Sequence, residues 1–241
     1  METVVDLHWD VTNLAKVVQD VELAPQLYRR LRRTLLSEQL HRDAAKRYAE
    51  RGYCPDVSQP DLDRAYDYFL CAWLGRNGVA GTHSYNQGFC VRYTANGGHA
   101  PKRWDSAVRS IPAWRRRMAN LTILNRDMFK VLPRILDEAG TAIYCDPPYL
   151  IKGAKYIHDF ESGDHEQLAE ALGRFRKARV VVSYYDHPLL AELYPEWTRR
   201  VIEVSKALAH QGRRGKNDTK AREVLLMNGP SYGKATERML F

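Results

Sequence analysis

Asp146-Pro147-Pro148-Tyr149 stands at the end of a short apolar run, Thr141 to Cys145. Proline fixes φ and carries no N–H, and the residue before a proline is pushed into extended backbone. The chain therefore leaves the expected strand along one rigid path. A carboxylate and carbonyls with few local partners face a ligand there, beside the aromatic face of Tyr149. Acceptors next to a stacking surface suit a planar ring that bears an amino group. An ordinary Pro-Pro turn is the bland alternative, but an apolar strand running into the acid favours a site. Two more acids, Asp6 and Asp127, also close apolar stretches. One acid after a strand is often only a helix cap. Three of them suggest a shared site, because open α/β sheets bind ligands at the carboxyl ends of their strands.

The elements that must position these acids follow from periodicity. A buried strand over Thr3 to Leu7 ends near Asp6, and helical spacing begins at Val11 (Leu14, Val17, Val18, Val21), with Asp10 or Thr12 as cap. Pro25 to Gly52 reads as a charged helical stretch, and Leu62 to Leu74 as an aromatic-rich helix. Gly75 to His99 reads as a hairpin or ordered loop, and Trp104 to Asn120 as a further helix. A regular alternation then sets in. "LTILNRD" is a strand ending at Asp127, "FKVLPRILDEAG" a short helical connection and "TAIYCD" a strand. "DHEQLAEALGRFRKA" is a helix capped by Asp164 with Gln167 as capping-box partner. "RVVVSYYD", "RRVIEVSKAL" and "REVLLMNG" are strands, with a helix over "HPLLAELYPEW". Alternating strands and helices predict a mostly parallel α/β sheet. Residues 1–24 and 121–241 form its core, and residues 25–120 interrupt it as a mostly helical insert.

Composition narrows the partners. The 241 residues carry a formal charge of +8, which favours an anionic partner, nucleic acid before others. The four cysteines, Cys54, Cys71, Cys90 and Cys145, make no CxxC pair and read as reduced thiols. No signal peptide and no membrane-spanning run is expected, so the reading is a soluble, cytoplasmic protein. The histidines form no metal-binding pair. His165 and His187, each beside an acid, read as helix-start residues, and no metal is expected.

D-P-P-Y after an apolar strand resembles the signature of amino-methyltransferases that use S-adenosylmethionine, and the chain as a whole resembles the Dam-type DNA adenine methyltransferases. "VVDLHWDVTNLAKVV" is similar to the family's second-strand segment, "FLCAWLGRNGVAGTHSYNQGF" to its hairpin next to DNA, "LTILNRDMF" to its third-strand segment and "VVVSYYDHPLLAELY" to the segment after the catalytic strand. The resemblance implies a Rossmann-like sheet with a helical DNA-recognition insert. It implies S-adenosylmethionine as cofactor, double-stranded DNA as partner, and methylation of the 6-amino group of adenine. Asp146, Pro147, Pro148 and Tyr149 would be catalytic. Asp6, Leu7, Asp127 and Met128, with Asp146, would hold the cofactor. Tyr85, Asn86 and Arg92 of the hairpin would read bases. Arg115, Arg116, Arg117, Arg213, Arg214 and Lys216 would hold phosphates, as would the Arg29 to Arg33 cluster. For each basic cluster by itself, a solvated helix face is the plainer alternative.

The family pattern has one gap. No F-x-G-x-G loop occurs in the 241 residues, and the first segment matched is the family's second strand. "TANGGH" at Thr94 to His99 sits in the hairpin region and reads as a turn. The missing strand would be central, between the strand ending at Asp6 and the strand ending at Cys145, so two strand edges are expected to be open. S-adenosylmethionine is then expected to bind poorly. Three alternatives follow: a DNA-binding member without catalysis, one half of a split enzyme that another segment or chain completes, or amino-methylation of RNA or protein.

Overall fold

The computed structural model describes residues 2–53, 58–75, 88–89, 100–150, 157–205 and 220–229. They fall into two compact units. The first is Met1–Met128 with Ala154–His158, and the second is Phe129–Gly153 with Asp159–Phe241.

In the first unit β1 (Glu2–Val5) pairs in parallel with β2 (Leu121–Leu124), Glu2 opposite Leu121 and Val5 opposite Leu124. Between them in sequence lie α1 (Trp9–Gln19), α2 (Leu23–Arg32), α3 (Glu38–Arg51), α4 (Leu62–Leu74) and α5 (Ala100–Met118). Their apolar stripes meet in one core of Val17, Val18, Leu27, Leu31, Phe69, Leu70, Trp104 and Val108, among others. The stretch expected as one charged helical run is two helices. It breaks at Arg33, and Ser37 starts α3 by accepting the Leu40 N–H on its hydroxyl at 3.0 Å, as a serine N-cap does.

Asp10 is not the cap of α1. His8 occupies the N-cap, and Asp10 lies in the first turn with no exposure. Arg64 of α4 and the Tyr48 hydroxyl of α3 both donate to its carboxylate. A buried guanidinium needs a counter-charge, so burial overrides the capping preference. Nearby, Asn13 and Asp61 exchange two 2.9 Å hydrogen bonds that tie α1 to the start of α4. Asp67 of α4 receives Arg47 and Arg51 of α3, each at 2.7 Å.

The second unit is a four-stranded mixed sheet in the order β3 (Ala142–Cys145), β4 (Arg179–Tyr185), β6 (Lys220–Met227), β5 (Thr198–Ser205). β3 and β4 are parallel, whereas β6 inserts between β4 and β5 and runs antiparallel to both. β3, β4 and β5 therefore run the same way, in keeping with a mostly parallel sheet, and β6 alone is reversed. β4 buries Val180, Val182 and Tyr184 completely, against Leu168 and Leu172 of α7 (Ser162–Gly173) and Leu190 of α8 (Leu189–Leu193) among other core residues. Glu161, not Asp164, is the N-cap of α7. Asp164 is its N3 residue and accepts the Glu161 N–H at 2.8 Å, so Gln167 has no part in the capping box. His187 does serve a helix start, its Nδ1 accepting the Leu189 N–H at 3.2 Å.

A short helix α6 (Met128–Val131) and a 3-10 turn, Leu132–Arg134, link β2 to the second sheet in sequence. Among the described residues β1 has β2 on one side only, and β3 has β4 on one side only. These are the two edges at which the sequence reading placed a gap. Their side chains are uncovered as well: Val4 is exposed on β1, and Tyr144 is 66% exposed on β3. Parallel strands are ordinarily buried on both faces.

Candidate active site

Asp146 leaves the carboxyl end of β3 with an exposed side chain, while Pro147 beside it is buried. The Ser183 hydroxyl, from β4, donates to Asp146 Oδ1 at 2.9 Å. The same hydroxyl lies 3.0 Å from the Tyr144 hydroxyl and 3.5 Å from the Cys145 carbonyl. The strand register explains this placement, since Cys145 is opposite Val182 and the next residue of β4 flanks the acid. Ser183 thereby fixes one oxygen of the carboxylate, which is also hydrogen-bonded to the Tyr149 side chain.

Tyr149 is half-buried. Its ring meets Tyr185 edge-on, with centroids 4.5 Å apart, and Tyr184 at 6.2 Å. Burial first, and the Asp146 carboxylate next, hold the Tyr149 phenol well above its usual range. It stays neutral and offers an aromatic surface rather than a base. Beneath it His165 Nδ1 and the Tyr184 hydroxyl share a hydrogen bond at 3.0 Å, and burial raises the Tyr184 and Tyr194 phenols too. Burial pushes the Cys145 thiol up to about 11, so it is protonated and no nucleophile at neutral pH. The cluster therefore offers one anionic acceptor beside neutral aromatic rings, which is equipment for orienting an amino group.

The other predicted acids belong to the first unit. Asp6 follows β1, and its Oδ1 accepts the His8 N–H at 2.7 Å, while its own N–H donates to the Leu124 carbonyl at 3.1 Å. Leu7 is 37% exposed. Asn125, just past β2, donates through Nδ2 to both the Asp6 and Leu7 carbonyls at 2.9 Å. The Tyr53 hydroxyl donates to the Leu7 carbonyl at 3.2 Å. The exit from β1 is thus held from three sides. β2 ends at Leu124 rather than at Asp127, which instead precedes α6, where Met128 is the first residue. One free carboxylate oxygen of Asp6 beside an exposed leucine suits a vicinal diol attached to an apolar ring. That donor set fits the ribose end of an adenosyl cofactor.

Arg115, Arg116 and Arg117 close α5. Arg117 pairs with Glu2, the Arg115 charge is felt by Asp20, and Arg116 makes no ion pair among the described residues. Tyr85, Asn86, Arg92, Arg213, Arg214 and Lys216 lie outside the described residues. At the hairpin region an antiparallel bridge joins Gly75 to Phe89.

A comparison with protein families matches residues 3–208 to the D12 class of N6 adenine-specific DNA methyltransferases. The chain belongs to that family. A search of the curated proteins returned no match. For a D12-class methyltransferase a Rossmann-like fold that uses S-adenosylmethionine is implied, and a parallel strand pair and a four-stranded mixed sheet with helices agree with it. Sequence reading of this D12 chain missed Ser183 and Asn125. The signal for Ser183 was a lone hydroxyl inside the apolar run "VVVSYY", and for Asn125 an amide directly after an apolar strand. Neither forms a motif until the strands are paired.

Proposed function

We propose that the chain transfers a methyl group from S-adenosylmethionine to the 6-amino group of an adenine in double-stranded DNA, with Asp146-Pro147-Pro148-Tyr149 as the catalytic segment. One observation carries this reading: the family's characteristic activity coincides with an exposed aspartate, held by Ser183, and an aromatic ring just past the tip of β3. The adenine must leave the duplex, because its amino group cannot be reached inside it. Tyr149 stacks on the flipped ring. The Asp146 carboxylate and the Pro147 carbonyl accept hydrogen bonds from the 6-amino group, which turns the nitrogen lone pair outward. S-adenosylmethionine, when bound, supplies the electrophilic methyl. Asp6 holds its ribose, and Leu7, Asp127 and Met128 flank its adenine. The chain's own contribution is position and charge: as positive charge develops on nitrogen, the Asp146 carboxylate stabilises it in place. Residues 25–120 serve as the recognition insert, with Tyr85, Asn86 and Arg92 for bases and Arg115 to Arg117, Arg213, Arg214 and Lys216 for phosphates.

The test is Asp146→Ala. Methyl transfer should fall by roughly 10²–10³-fold or more, while duplex affinity is kept, because phosphate contacts supply most of it. Tyr149→Ala should lose both turnover and base flipping, whereas Tyr149→Phe should be mild. Near-normal turnover of the Asp146→Ala protein would remove the catalytic assignment. The second reading is a DNA-binding member without catalysis. The open edges of β1 and β3 favour it, since the catalytic strand is supported on one side only.

A further inference from the structure

Helix α2 carries four arginines at its carboxyl end, and they are not equivalent. Arg30 pairs with Asp63 of α4 and lies over the Tyr66 ring, 3.8 Å from its centre. Arg32 pairs with Asp105 of α5, which also holds Arg109 at 2.6 Å. These two charges are neutralised and help fasten the bundle. Arg29 and Arg33 are exposed, stand one helical turn apart on one face, and have no acidic partner among the described residues. Both line an open cavity of about 600 Å³ together with the paired Arg30, Gln26, Ser37 and Tyr66.

Ser37 is the N-cap of the 14-residue helix α3, so the positive end of that helix reaches the same cavity. The first-turn acid Glu38 is engaged by Arg42 at 2.6 Å. Arginines at a helix carboxyl end offset its dipole, which accounts for having cations there. It does not account for Arg29 and Arg33 being left unmatched at the cavity while Arg30 and Arg32 are matched with acids on neighbouring helices.

We propose that Arg29, Arg33 and the amino end of α3 form a binding site for a backbone phosphate of duplex DNA. The proposal rests on DNA being the substrate and adds a DNA-facing surface on the far side of α2 from its packed face. Two guanidiniums can grip a phosphodiester through paired N–H donors. Gln26 supplies a further neutral donor. Such a grip fixes where the duplex lies without reading its sequence.

The test measures the affinity of the full chain for a labelled duplex by fluorescence anisotropy, between about 50 and 200 mM salt. The R29Q/R33Q protein should bind more weakly to every sequence. The slope of log affinity against log salt should be shallower by about 0.9 for each phosphate that is no longer neutralised. The R29K/R33K protein should keep most of the slope, which excludes misfolding as the cause. The R176Q/K177Q protein removes the same charge from the exposed turn between α7 and β4 and should leave the slope unchanged. A wild-type slope in R29Q/R33Q, or an equal loss in R176Q/K177Q, would overturn the site while leaving DNA as the substrate. A wild-type chain with no affinity for DNA would overturn both.

Discussion

Ser183 and Asp146 show how a single hydrogen bond prepares a carboxylate for its task. An exposed aspartate would swing among rotamers. The Ser183 hydroxyl holds Oδ1 at 2.9 Å, and the Tyr149 side chain is hydrogen-bonded to the same carboxylate. The hydroxyl is itself 5% exposed as part of its residue and is positioned by Tyr144 and the strand register. A hydrogen bond to a charged group contributes about 1.5–3 kcal/mol. Ser183→Ala should therefore lower kcat by roughly 10- to 100-fold with little change in the KM for DNA. Single-turnover methylation beside duplex binding checks this. An unchanged kcat would make Ser183 a packing residue only. D-P-P-Y was readable from the sequence because its rigidity and chemistry are local. Ser183 was not, because its relation to Asp146 exists only across a strand pair 37 residues apart.

At the scale of elements, polar side chains as well as apolar stripes lock the helices of the first unit. Asp10 joins α1, α3 and α4 through Tyr48 and Arg64, and Arg64 also donates to the Gly52 carbonyl at 3.1 Å. Removing one member strands a buried charge, which costs about 3–5 kcal/mol. Asp10→Ala should lower unfolding stability by that amount in a urea titration. The paired change Asp10→Leu with Arg64→Met should recover much of it. A loss under about 1 kcal/mol in Asp10→Ala would show that the pair is screened by solvent. Helix α4 was legible to the residue from its spacing alone, and the structure adds Asp61 as its cap, the carboxylate accepting the Arg64 N–H at 2.9 Å. Asp10 was misread as a cap because capping preference is local, while its true partners lie 38 and 54 residues away. The antiparallel return of β6 was equally hidden, because apolar runs give strand identity but not direction.

For the whole molecule, the family match and the +8 charge agree on DNA as the partner. Among the described residues no helix is long and apolar enough to cross a membrane. In the proposed function Asp6 and Leu7 are assigned to the adenosyl end of the cofactor, but the 241 residues hold no F-x-G-x-G loop to supply backbone donors for the methionine end. Calorimetry on this chain should therefore give an S-adenosylmethionine affinity weaker than about −8 kcal/mol, the value for a micromolar Kd. Tighter binding would show that the glycine loop is dispensable here. The central claim concerns the reaction itself. Duplex DNA incubated with this chain and a large excess of labelled S-adenosylmethionine, then digested to nucleosides and resolved by mass spectrometry, should yield N6-methyl-deoxyadenosine. The Asp146→Ala protein should yield none. DNA that is bound but carries no methyl label, or a label found on cytosine, would contradict the account.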